Sequence, residues 1–265
     1  MSSYRCVFMM GVEQALEYRL GFFLSMLSTV FPIVIQTAMW NYLYSHSDAA
    51  GIFGYGQGEI LLYTLLAAIV SQLVGTGFEW EMNRDIKLGG LNQYLIRPVK
   101  YRGYRFFAFL GQKVPRLMVI GPVMAVLIGG AVWNGMNLSP VRALAFLGSL
   151  MLAVVLNFSV FFCIGMLGFW FTDADKLFGA VSIVLTVASG GVFPLDIFGE
   201  QAEIMGNLLP FGYTIQFPVN IVNGRLGWER MGMGFALQAF WISVFVCLGE
   251  YIWRHGVRRY TAAGG

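Results

Sequence analysis

The chain has 265 residues, 57% hydrophobic and 12% charged, with a net charge of +3. A soluble domain carries about 25% charged residues, so a fully water-facing surface is excluded, and so small a net charge gives no basis for nucleic-acid binding. Cys6, Cys163 and Cys247 share no paired spacing with one another or with the only histidines, His46 and His255, which argues against a disulfide framework and against a metal site.

In chain order, residues 4–20 come first. Phe8, Val12, Ala15, Leu16 and Leu20 recur near helical spacing, with Glu13 and Glu17 on the other face. This pattern predicts an amphipathic helix lying along the inner leaflet. Arg5, Glu13, Glu17 and Arg19 occupy the place where a secretory signal would need an apolar core. Six uncharged runs follow, at 20–47, 60–78, 117–141, 143–172, 177–195 and 231–249, each of at least 19 residues. A helix needs about 20 residues to cross roughly 30 Å of hydrocarbon. The expectation is therefore an all-α integral membrane domain with six transmembrane helices, at about 21–44, 60–78, 117–134, 143–168, 177–195 and 231–252.

Between these spans lie segments of different character. Residues 45–58 form a short glycine-rich outer loop, and Trp40, Tyr42 and Tyr44 before it suit an interfacial aromatic belt. Residues 79–105 are the longest charged interruption, with six basic and three acidic side chains. The stretch FTDADK at 171–176 reads as a tight turn, in which Asp173 or Asp175 would cap the next helix. The run 204–224 is uncharged but contains Pro210, Pro218 and four amide side chains. Broken backbone survives at membrane depth only where protein or water satisfies it, so 196–230 is read as an outer re-entrant or interfacial region.

Orientation follows from the basic residues. With the N-terminus in the cytoplasm, fourteen of the 17 lysines and arginines face inward, leaving only Arg142, Arg225 and Arg230 outside. Both termini are then cytoplasmic, and so is the loop 79–105.

Enzyme chemistry finds no support. No Ser–His–Asp set, HExxH or GxSxG occurs, and there is no GxxxxGK[ST] loop for nucleotide phosphates. No charged residue falls in the middle of any of the six runs, which counts against a proton- or sodium-driven carrier. If ATP powers this protein, another chain binds it. The central loop itself admits two readings. Residues 85–95 suit a short amphipathic helix through Ile86, Leu91, Tyr94 and Leu95, weakened by Gly89-Gly90 and stopped by Arg97-Pro98; its basic residues would meet lipid phosphates or an acidic partner. The same residues equally suit a basic loop that only holds the topology.

A resemblance weighs on that choice. Residues 86–99 read IKLGGLNQYLIRPV, and residues 189–198 and 208–224 read SGGVFPLDIF and LLPFGYTIQFPVNIVNG. In order and spacing along nearly the whole chain, these are similar to the membrane subunits of ABC-2 type exporters. They resemble in particular the subgroup in which two related permeases pair with one type of ATPase. The resemblance implies a type V exporter-like fold in a bacterial cytoplasmic membrane. It also implies three partners: a separate ATP-binding cassette subunit holding ATP and Mg, a second permease copy or relative, and membrane lipid. It casts residues 85–95 as the helix that couples to the ATPase, with Arg84, Asp85, Ile86, Lys87, Gly89, Gly90, Leu91, Tyr94, Leu95, Arg97 and Pro98 as candidate contacts. Asp173, Asp175 and Lys176 become the lesser cytoplasmic contact, and residues 4–20 the interfacial connecting helix. Small polar residues suggest the substrate path: Ser182, Thr186 and Ser189 in span five, with Gln36 and Asn41 in span one. An ATP-independent channel or carrier, and a non-transporting membrane scaffold, remain as alternatives. The lack of mid-span charge favours an amphiphilic, drug-like, lipid or peptide substrate over a small ion.

Overall fold

The computed structural model describes residues 2–17, 19–46, 54–95, 100–133, 135, 138–171 and 173–260. These residues contain helices and no strand. The helices are α1 (Ser2–Glu17), α2 (Arg19–His46), α3 (Gln57–Val74), α4 (Phe78–Lys87), α5 (Asn92–Leu95), α6 (Tyr101–Trp133), α7 (Pro140–Gly165), α8 (Ala174–Ala188), α9 (Glu200–Leu208), α10 (Gln216–Val222) and α11 (Trp228–Arg259). Four helical stretches among the described residues are long and apolar enough to cross a membrane: Gln57–Lys87, Tyr101–Trp133, Pro140–Phe169 and Trp228–Arg259.

Two of these stretches run past the ends that the uncharged runs suggest. The second expected span does not stop at Phe78. Its helix breaks at Gly75-Thr76-Gly77 and resumes as α4, which turns Phe78, Glu79, Met82, Asn83 and Ile86 into the core. The third begins at Tyr101 rather than near Leu117, so Arg102, Arg105, Lys113 and Arg116 belong to one helix of 33 residues, about 50 Å long. By contrast α8 has only 15 residues, about 22 Å, and ends at the paired glycines. Gly190 takes φ +75°, which a side chain rarely adopts, and its carbonyl accepts from Tyr63 Oη at 2.7 Å.

Aromatic rings fill the centre. Phe158 of α7 lies 4.8 Å from the Phe78 ring, 5.0 Å from Phe106 and 5.7 Å from Phe109, joining α4, α6 and α7. Tyr101 stacks on Trp253 at 5.2 Å and brings α11 against the start of α6. Of the broken segment 204–224 the second half is buried in protein, with Phe217, Pro218, Val219, Asn220, Ile221 and Val222 all buried, whereas Ile204, Met205 and Leu208 at its start are exposed. Gln238 of α11 reaches into this layer and donates to the carbonyls of Ser149 and Tyr213.

The predicted N-terminal helix is present, but it is fastened along the first half of α6. A Cβ on Gly11 would lie 2.3 Å from the Ala108 carbonyl oxygen, and one on Gly111 would lie 2.2 Å from that of Phe8. Backbones this close leave no room for a side chain. Val7 is buried, whereas Leu16, expected on the apolar face, is exposed together with Met9 and Met10. Replacement of Gly111 by Leu will therefore force α1 off α6 and lower the stability of the detergent-solubilised protein by about 1–3 kcal/mol, the usual cost of overpacking. Gly121→Leu, at a position of the same helix with open space around it, will leave the thermal unfolding midpoint unchanged.

Candidate functional site

At the end of the bundle where the charged loop lies, the chain forms a compact set of turns. Residues 85–95 are not one helix. After α4 ends at Lys87, Gly89 adopts φ +75° and reverses the chain, and the amide of Leu91 returns to the Asp85 carbonyl at 3.0 Å. Gly90 then passes over Asp85 with room for only a strained Cβ, 3.2 Å from its carboxylate. The short helix α5 follows. The doubled glycine thus builds a turn where the sequence suggested a weakened helix.

One buried cation holds these turns in place. Arg105 of α6 is only 5% exposed. Its guanidinium donates to Glu81 at 2.5 Å, to Asp85, and through Nε to the Tyr101 hydroxyl at 2.9 Å. Tyr101 in turn donates to Asp85 Oδ2 at 2.8 Å. Tyr94 completes the cluster, its ring 5.1 Å from Tyr101 and 4.7 Å from Tyr104, and burial holds its hydroxyl above the ordinary phenol range. Such a buried cation is tolerable because every charge in the network is paired and hydrogen-bonded.

The two turns singled out in the sequence, 79–105 and 171–176, meet here. Asn83 Nδ2 donates to Asp175 Oδ1 at 2.5 Å, and Lys87 Nζ lies 3.5 Å from Asp175 Oδ2. Trp80 packs edge-on against Phe178 at 5.5 Å. Between the turns opens a notch of about 530 Å³, lined by Trp80, Glu81, Asn83, Arg84, Lys87, Leu88 and Asp175. Leu88 is 74% exposed and Trp80 43%, so the rim is apolar and cationic together.

The candidate coupling residues therefore divide. Arg84 and Lys87 face the notch, whereas Ile86 and Leu91 are buried and Asp85 is spent on Arg105 and Tyr101. For Leu95 only the backbone is described, and Arg97 and Pro98 lie outside the described residues. Asp173 stands at the N-cap of α8 without a side-chain cap bond, so the expected capping is not made; Asp175 sits in the first turn, and Lys176 is exposed. Trp80, Glu81, Leu88, Tyr101 and Arg105 were missed. The only available signal for the last was the spacing of Tyr101 and Arg105 at i,i+4.

A second polar place lies deeper. Ser182, Thr186 and Ser189 line an internal cavity of about 140 Å³ together with residues of α3, α7 and the break at 75–77. The Thr186 hydroxyl donates to the Ser182 carbonyl and that of Ser189 to the Thr186 carbonyl. Gln36 and Asn41 do not line it; Asn41 accepts instead from Gln57 Nε2 at 3.1 Å. Beside Tyr63, at 6.4 Å between rings, Tyr55 donates to both Asp196 oxygens at 3.0 and 2.8 Å, and Arg225 sits 3.5 Å over the Tyr55 ring. Burial and the Asp196 carboxylate keep the Tyr55 hydroxyl protonated far above neutral pH.

Removing the central cation leaves two acidic groups without their partner. Arg105→Gln should cost about 3–5 kcal/mol of stability, the range for breaking a buried pair, read as a collapse of the thermal midpoint in detergent. Arg84→Gln, exposed on the notch, should leave that midpoint in place.

No curated protein matches the chain. Residues 30–264 match a family model described as ABC-2 family transporter protein, and with nearly all of its length so covered and its helices arranged as above, the chain belongs to the ABC-2 family of transporter membrane proteins.

Proposed function

We propose that this chain is the membrane-spanning permease subunit of an ATP-driven exporter. A separate ATP-binding subunit, carrying ATP and Mg, docks on the notch of Trp80, Arg84, Lys87 and Leu88. The observation that carries this reading is the notch itself. It offers an exposed apolar rim and two cations, and it is backed by a buried ion network that cannot yield without costing several kcal/mol. Force applied to Leu88 is therefore passed to α6 through Arg105 and to α8 through Asp175, instead of being absorbed by a loose loop.

In this reading the chain crosses six times. The four long stretches supply four crossings, α2 supplies the first, and α8 with the broken element around 189–224 supplies the fifth. Both termini and the notch lie on the cytoplasmic side of a bacterial inner membrane, supported by the excess of basic residues there. With no internal repeat, the chain forms half of a two-fold assembly, paired with a second copy or a related permease. The exported substrate is an amphiphile, drug-like compound, lipid or peptide, passing near α8.

The test is co-purification from membranes in which an ATP-binding subunit is co-expressed. Arg84→Glu combined with Leu88→Asp will reduce recovery of the ATP-binding subunit by at least about tenfold, a loss of some 1.4 kcal/mol, while membrane insertion stays at the wild-type level. Unchanged recovery contradicts the docking assignment. Substrate movement by the purified chain alone in liposomes contradicts ATP-driven function.

A further inference from the structure

Glu79 sits at the start of the charged interruption, yet it is 4% exposed. It stands two residues beyond the point where the helix of the second crossing breaks, and it lines the internal cavity of about 140 Å³ with Ser71, Thr76, Asn157, Thr186 and Thr214. The Thr76 hydroxyl and the backbone amides of Gly77 and Glu79 bear on the Glu79 carboxylate, yet two buried oxygens at this cavity, Glu79 Oε2 and Ser71 Oγ, have no hydrogen-bond partner. Buried polar groups in folded proteins are otherwise almost always satisfied. A carboxylate oxygen taken out of water and left open is costlier than an open hydroxyl.

Lys113 attracts Glu79 through space without forming a salt bridge to it. Lys113 of α6 is directed to the carbonyl oxygens exposed by the helix break, Gly75 and, at 3.3 Å, Gln72, with its ammonium 4.9 Å over the Phe109 ring. Asn157, the other polar side chain at the break, donates to the Val74 carbonyl at 2.8 Å. Glu79 forms no salt bridge among the described residues. The break is thus closed by groups that take its carbonyls, while the acceptors facing the cavity stay open.

Two open oxygen acceptors, one of them on a carboxylate, call for a compact positive charge, and the Thr76 hydroxyl stands beside them. Size limits what it is. A cavity of about 140 Å³ holds an ion and a few waters at roughly 30 Å³ each, but it is well below the 300–1,000 Å³ of sites that enclose drug-sized ligands. We infer that Glu79, Ser71 and Thr76 form a binding site for a single compact monovalent cation, either a free alkali-metal ion or the primary ammonium group of a cargo molecule.

The full-length protein in lipid nanodiscs, without any ATP-binding partner, provides the test. Thermal unfolding is followed by tryptophan fluorescence while NaCl, KCl or methylammonium chloride replaces N-methyl-D-glucamine chloride at constant ionic strength. A site specific for the folded state gives a saturable rise in midpoint with at least one of the three small cations. Glu79→Gln abolishes the rise or moves its half-saturation about tenfold higher, and Ser71→Ala weakens it several-fold while keeping the cation-free midpoint. Preference for sodium or potassium identifies a free ion; preference for methylammonium identifies a cargo amine. The absence of a saturable rise with all three, or an equal rise in Glu79→Gln, overturns the site. Should Glu79→Gln fail to fold, an unaltered response in Ser71→Ala overturns it on its own. Because no ATPase takes part, a negative result leaves the exporter reading intact.

Discussion

A helix that breaks inside a membrane must find partners for the backbone it frees, because hydrocarbon offers none. Among the described residues, the breaks at Gly75–Gly77 and Gly190 are each closed by a polar group from another element, and the turn at Gly89-Gly90 is braced in a similar way. At Gly75–Gly77 the ammonium of Lys113 and the amide of Asn157 take the loose carbonyls. At Gly190 the Tyr63 hydroxyl accepts the role, while the Gln216 amide donates to the Ser189 carbonyl at 3.0 Å. At Gly89-Gly90 the chain folds over Asp85, which Arg105 and Tyr101 hold from beneath. The breaks are therefore firm joints, and the polar residues that close them account for much of the buried charge in so apolar a chain.

These joints also define how a push would travel. The turns around Lys87 and Asp175 are bound to each other through Asp175 and to α6 through Arg105. From there α8 runs to the cavity beside Glu79 and ends near the Gly190 joint, where the broken element begins. That element is tied in turn to the start of α3 by Tyr55, Asp196 and Arg225. Rigid pieces meeting at satisfied joints form the kind of scaffold in which small displacements at one end produce discrete rearrangements at the other.

Much of this was legible in the sequence. Uncharged length is a compositional property, so the apolar stretches around 60–78, 117–141, 143–172 and 231–249 were visible without knowledge of the fold. The paired prolines and amides of 204–224 likewise pointed to a broken element instead of a straight lipid-facing helix. Charged residues within helices were not legible. Glu79, Arg105 and Lys113 look like loop residues in a linear reading, since their burial depends on partners such as Tyr101, Glu81 and the Gly75 carbonyl that only the fold brings near. The turn at Gly89-Gly90 failed for a related reason: helix propensity registers glycine as a cost, whereas here a positive φ and a close pass over Asp85 require it. Of the candidate path residues, Ser182, Thr186 and Ser189 share one helix face and so one cavity, but nothing in the sequence could indicate that Asn41 would be engaged by Gln57.

The most direct test of the account is site-specific photocrosslinking in membranes containing a co-expressed ATP-binding subunit. A photoreactive side chain at Leu88, on the rim of the notch, should capture the ATP-binding subunit, while one at Trp133, 91% exposed at the far end of α6, should not. Capture from Leu88 alone is the result the account predicts. Failure at Leu88, or equal capture from Trp133, would contradict it.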